Sequence, residues 1–204
     1  VEIEHEGKTT PAQAFGNGCF EALFPGRLDF FPYRIKATLH SGETAGYADP
    51  YACLPVLTDY DLHLYAKGTH YRLWKKLGAR IITHQGDSGA HFAVWAPNAR
   101  GVSVIGDFNG WNPRSHMMRN LGGSGVWEIF IPGTIPGAHY KFLLRTQGGA
   151  SAEKTDPLAE AAELRPKTSS VVPDPAEFPW RDREWETHRV QVQSEHAPLC
   201  IYEV

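Results

Sequence analysis

Residues 106–112 read GDFNGWN, a Gly/Asn turn that follows a β-forming run and carries Trp111. An indole on a turn leaves apolar area in water unless something covers it. The face of a pyranose ring suits that role, because its C–H groups pack on the electron-rich indole while its hydroxyls reach polar neighbours. Lys141, in the run AHYKFLLRT (138–146), can donate to such a sugar if its strand lies beside the turn. Thr168 and Ser170, alternating along TSSVV (168–172), can add hydroxyl contacts from one strand face. The competing expectation is that Trp111 packs against its own turn. Trp127 alternates with Ile129 and Ile131 and is expected in the core, while His139 and Tyr140 read as structural.

Reactive chemistry is not encoded by spacing. There is no phosphate loop, no Gly-x-Ser-x-Gly turn, no His-Glu-x-x-His and no Cys-x-x-Cys. His63 and His70 stand seven apart across Gly68, which does not suit a metal pair. Asp59 and Asp61 fall at a helix start, where negative charge is locally favoured. Cys19, Cys53 and Cys200 are odd in number and widely spaced, each beside an apolar residue, and are expected as buried free thiols in a reducing compartment. A net charge of −3 with only short dibasic clusters argues against a phosphate-neutralising surface, and so against nucleic-acid binding. With no signal-peptide pattern and no apolar run of membrane-spanning length, a cytoplasmic chain is expected. No catalytic residue, metal or cofactor is assigned.

The elements that would position Trp111 follow from an internal repeat. Residues 16–26 (GNGCFEALFPG) match 123–133 (GSGVWEIFIPG) at an offset of 107, and the same offset aligns Tyr33 with Tyr140 and Asp49-Pro50 with Asp156-Pro157. Without a gap, 11 of 37 pairs are identical, so the chain holds two copies of one domain type. Short β-forming runs between Pro/Gly turns (90–96, 102–105, 126–131, 138–146, 168–172) predict an antiparallel sandwich. The expected fold is all-β: two tandem immunoglobulin-like β-sandwiches with a short helical connector. The offset places the opening strand of the first copy before residue 1, so that sandwich is expected to be N-terminally truncated. Expected boundaries are 1–58 for the first sandwich, 59–84 for the connector, 85–174 for the second sandwich and 175–204 for a linker with the start of a further domain. In the connector, Thr69 is expected to cap a short helix presenting Tyr71, Trp74 and Leu77, with Gly78 ending it. Trp180 and Trp185 are expected as packing anchors, and the terminal PLCIYEV as a strand.

The runs FAVWAPNARGVSVIGDFNGWN, GVWEIFIPG, YKF, DP and RPKTSS together resemble the family 48 carbohydrate-binding module. That module precedes the catalytic barrel of branching enzymes, isoamylases and related family 13 glycosidases. The upstream DPYACLPVLTDYDLHLYAKGTHYRLWKKLGAR resembles the segment joining the two amino-terminal domains of bacterial glycogen branching enzymes, and PLCIYEV resembles their first barrel strand. The resemblance spans 16–204. It implies a 1,4-α-glucan branching transferase as the parent, with a carboxylate nucleophile and acid/base as in retaining glycosidases. None of that family's catalytic carboxylates maps onto this sequence, so the chain alone is expected to be inactive.

The resemblance matches Trp111 to the family's stacking Trp and Lys141 to its sugar-contacting Lys, with Thr168 and Ser170 at hydroxyl or amide contact positions. The expected partners are an α-glucan (glycogen or a malto-oligosaccharide) and the catalytic barrel of the same polypeptide. One departure stands out: where the similar glycogen-binding domain of the AMP-activated kinase β subunit has a second stacking Trp after Y-K-F, this chain has Gly148-Gly149-Ala150. Two further readings compete: a structural spacer that sets chain-length preference, and the amino-terminal module of an isoamylase-type debranching enzyme.

Overall fold

The computed structural model describes residues 1–175, 179–198 and 200–203. The first copy supplies β1 (Glu2–His5), β2 (Lys8–Pro11), β3 (Gln13–Gly16), β4 (Cys19–Glu21), β5 (Arg34–Thr38) and β6 (Thr44–Ala48). Four of these form an antiparallel sheet in the order β2-β1-β5-β6, and β3 pairs with β4 as a separate hairpin. The helix α1 (Asp59–Ala66) then leads into the second copy. Its strands are β7 (Gly78–His84), β8 (Asp87–Trp95), β9 (Ala99–Gly106), β10 (Arg119–Asn120), β11 (Val126–Pro132), β12 (His139–Thr146), β13 (Ser151–Lys154), β14 (Ala161–Ala162) and β15 (Ser170–Val171). They make one sheet of order β10-β11-β8-β7 and another of order β13-β12-β15-β14, with β9 also paired to β12. A second helix, α2 (Arg183–Val192), follows.

The repeat is visible in the hydrogen-bond register. Ile35 faces Tyr47 across β5 and β6, and Phe142 faces Lys154 across β12 and β13, the same pair displaced by 107 residues.

Alternation builds the core of the second sandwich. Phe92 and Val94, Val102 and Val104, Trp127, Ile129 and Ile131, and Tyr140 and Phe142 meet between the sheets. Trp127 lies in this core as expected, its Nε1 donating to Ala96 O at 3.1 Å. Yet β8 and β11 are buried on both faces. The reason is the connector, whose Leu57, Leu62, Tyr65, Leu73 and Leu77 cover the outer face around Ala93 and Val126. A charged clamp holds it there: Glu128 accepts from the Val56 and Leu57 amides at 3.0 Å each and contacts His91 Nε2 at 3.0 Å.

Several local expectations are corrected. The connector helix is α1, capped by Thr58 rather than Thr69 in a reciprocal box with Asp61. Residues 73–75 form only a single 3-10 turn, because Asp61 also gathers His70 at 3.1 Å and Lys76 at 3.1 Å and folds the segment back on α1. Burial pushes the Asp61 carboxyl up, but these bonds and those from Thr58 outweigh it and hold it well below the ordinary range. Asp59 and Asp61 do sit at a helix start, and His70 is engaged with Asp61 rather than with His63. Cys53 is buried, but Cys19 and Cys200 are exposed; Cys19 lies in the β3–β4 hairpin, whose strand residues are all exposed. Trp180 and Trp185 are exposed, and α2 buries no residue among those described. Residues 200–203 carry no strand, and Leu199 and Val204 lie outside the described residues.

Candidate carbohydrate site

The Trp111 turn is built at the end of β9. Gly106 passes so near β12 that a Cβ there would lie 2.3 Å from His139 O, so only glycine allows the approach. Asn109 then folds the chain back: its Oδ1 accepts from Gly106 N and its Nδ2 donates to Val104 O, each at 3.0 Å. Gly110 takes a left-handed conformation, and so does Trp111, at φ 60°. A bulky residue seldom adopts that region, and here the Trp111 amide holds it by donating to Gly106 O at 2.9 Å.

The indole itself is fixed by Asp107. Trp111 Nε1 donates to Asp107 Oδ1 at 3.1 Å, while Oδ2 accepts from His139 N at 2.8 Å and contacts His139 Nδ1 at 3.0 Å. The His139 amide is the chief reason the Asp107 carboxyl sits below its ordinary range. On its other side, His139 Nε2 lies 3.6 Å from Glu163, which also meets Lys167 at 3.3 Å and the Ser169 amide at 3.2 Å. Trp111 is 37% exposed, and its N–H is already satisfied by Asp107.

The anticipated residues distribute unequally around this platform. Lys141 lies on β12 two residues from His139 and opposite Ile105 of β9, with its Nζ 3.6 Å from Glu153. Its side chain is thus held on the outer face of the sheet. Thr168 is exposed, just before β15, and its carbonyl accepts from Thr155 Oγ1 at 2.8 Å. Ser170 corrects its expected role. It is fully buried and its Oγ accepts from Asp156 N at 3.0 Å, so it faces the interior rather than a ligand. Residues 148–150, where a second aromatic is missing, form a tight turn closed by Thr146 N to Ala150 O at 2.8 Å. Asp107, His139 and Glu163 were not anticipated. Of these only Asp107 left a signal, its spacing of four residues before Trp111 within one turn.

Among the described residues, no group of three or more His, Cys, Asp or Glu side chains could hold a metal ion. No described helix is long and apolar enough to cross a membrane.

The same residues frame the likeness to known proteins. Residues 76–159 match the family model for carbohydrate-binding module 48 (isoamylase N-terminal domain). The chain is 45% identical over 90% of its length to the 1,4-alpha-glucan branching enzyme GlgB of Corynebacterium efficiens, of which it covers 25%. It is 44% identical over 93% of its length to GlgB 1 of Streptomyces coelicolor, covering 24% of that enzyme. The chain therefore spans about a quarter of the curated relatives it matches, in their amino-terminal region. Among solved structures, apo pullulanase from Klebsiella pneumoniae aligns at a TM-score of 0.40 and 29% identity, over 48% of this chain and 11% of that one.

Proposed function

We propose that this chain, which carries a carbohydrate-binding module 48 at residues 76–159 and aligns with the amino-terminal part of branching enzymes, is a non-catalytic α-glucan-binding and positioning unit. In this reading the parent polypeptide is a 1,4-α-glucan branching enzyme that cleaves an α-1,4 bond and transfers the chain to a 6-hydroxyl. The chemistry belongs to a catalytic domain outside these residues, and the present chain brings glucan to it.

The observation that carries the reading is the Trp111 platform. Its indole N–H is occupied by Asp107, so the ring offers a ligand its face rather than a hydrogen bond, which is the mode suited to a pyranose. Lys141 supplies a donor on the neighbouring strand, and Thr168 an exposed hydroxyl at the rim. Ser170 takes no part.

Affinity electrophoresis in gels with and without glycogen tests this, using the chain and its Trp111→Ala variant beside thermal melts. Retardation of the unmodified chain alone, at similar melting temperatures, is the expected result. Equal mobility of both proteins with and without glycogen overturns the binding role and leaves a spacer that braces the catalytic domain.

A further inference from the structure

We propose that the cleft between the Trp111 turn and the loop joining β11 to β12 is a second α-glucan subsite. The inference rests on the α-glucan reading above and extends it to Phe108 and residues 133–138, which that reading does not use.

The cleft holds about 500 Å³ and is lined by Asp107, Phe108 and residues 133–138. Phe108, Ile135, Pro136 and Ala138 give it apolar walls, and the Ile135 side chain is 69% exposed. Such walls match the C–H face of a sugar ring. Asp107 is shared, since the carboxylate that holds Trp111 also lines the cleft. A glucan lying on Trp111 therefore has a continuous surface leading into it.

The polar group that points to a ligand is Thr134. It lines the cleft, is only 6% exposed, and its Oγ1 is buried without a hydrogen-bond partner. Burying an unpaired hydroxyl is unfavourable. A ligand hydroxyl satisfies it once the Thr134 side chain turns its Oγ1 into the cleft, because Thr can both donate and accept.

The internal repeat carries no hydroxyl at the equivalent position. Displaced by 107 residues, Thr134 and Ile135 become Arg27 and Leu28. Arg27 is committed elsewhere, to Glu6 at 2.8 Å and over the Phe31 ring at 5.0 Å. The equivalent position in the first copy thus carries no buried Thr.

Calorimetric titration of the whole chain with maltoheptaose tests the inference on Thr134→Val, Ile135→Ser and Trp111→Ala. Losing one hydrogen bond to the ligand is expected to weaken binding by Thr134→Val about fivefold. The same variant should melt higher than the parent, because the unpaired hydroxyl is gone. Ile135→Ser, an exposed change, should weaken binding without altering the melt. If both cleft variants bind as the parent does while Trp111→Ala loses binding, the subsite is overturned and the Trp111 site stands. If the parent chain binds no maltoheptaose at all, the subsite and the reading beneath it are overturned together.

Discussion

The Tyr140 hydroxyl donates to Asp156 Oδ2 at 2.6 Å, and 107 residues earlier Tyr33 donates to Asp49 Oδ2 at the same 2.6 Å. In both copies the other carboxylate oxygen accepts the amide two residues on, Leu158 at 2.8 Å and Tyr51 at 2.9 Å. The Asp-Pro turn is therefore tied down by one tyrosine, which lies on β12 in the second copy and immediately before β5 in the first. In the second copy that bond lies in the core, where it anchors the strand carrying His139 and Lys141.

Replacing Tyr140 by Phe leaves a buried carboxylate one donor short and is expected to destabilise the chain by about 1–3 kcal/mol. Burial already raises the Asp156 pKa, and the Tyr140 bond partly opposes that rise. Removing the bond lifts the folded value further above the unfolded one, so the native state then favours the protonated acid. The deficit should be largest near neutral pH and shrink as pH falls towards the ordinary aspartate range. Urea unfolding of both proteins at two pH values reads this, and a deficit that grows with acid contradicts it.

Glu128 has the opposite sign. Burial pushes its carboxyl up, but His91 and the Leu57 and Val56 amides outweigh that and leave it lowered. A folded pKa below the unfolded one gives stability that is present above the unfolded value and is lost as pH falls through the folded one. Melting temperature should accordingly drop in acid for the unmodified chain and less so for Glu128→Gln, which starts lower at neutral pH. Parallel melting curves across the acid range would show that the clamp is not held by charge.

Asp107→Ala should release the Trp111 indole without unfolding the domain, because Asp107 is solvent-facing. The indole Nε1 resonance of Trp111, assigned by its absence in Trp111→Phe, is expected to lose its bonded shift and sharpen with mobility. Glycogen retardation should weaken in parallel. An unchanged resonance would mean that Gly106 and Asn109 alone fix the ring.

Thiol titration of the native chain should modify Cys19 and Cys200 readily and leave Cys53 protected until the protein unfolds. Burial is the main cause of the raised Cys53 pKa, which lowers its thiolate fraction as well as its access. Modification of all three at one rate contradicts the packing of the connector.

The second sandwich is legible in the sequence because its strands are β-forming runs of seven or eight residues between Pro and Gly turns, as in β11 and β12. The connector is less so. Thr69 reads as the cap, but the helix is capped by Thr58, whose partner Asp61 also binds residues 9 and 15 positions further on. Ser170 misleads for a related reason. Alternation puts it on one face with Thr168, but β15 begins only at Ser170, and its hydroxyl is needed inward by Asp156. Trp111 is visible as an indole on a turn, whereas its rigidity depends on His139 and Asp107, 32 residues apart. Cys19 lies in a hairpin whose strand residues are all exposed, which side-chain polarity alone does not reveal.

The central claim is that a glucan stacks on Trp111. It is tested most directly by titrating the whole chain with maltoheptaose while following the assigned Trp111 indole resonance. The account predicts a saturable shift of that resonance, lost from the protein together with binding in Trp111→Ala. A resonance that stays in place while maltoheptaose binds, or a ligand that does not bind at all, would contradict it.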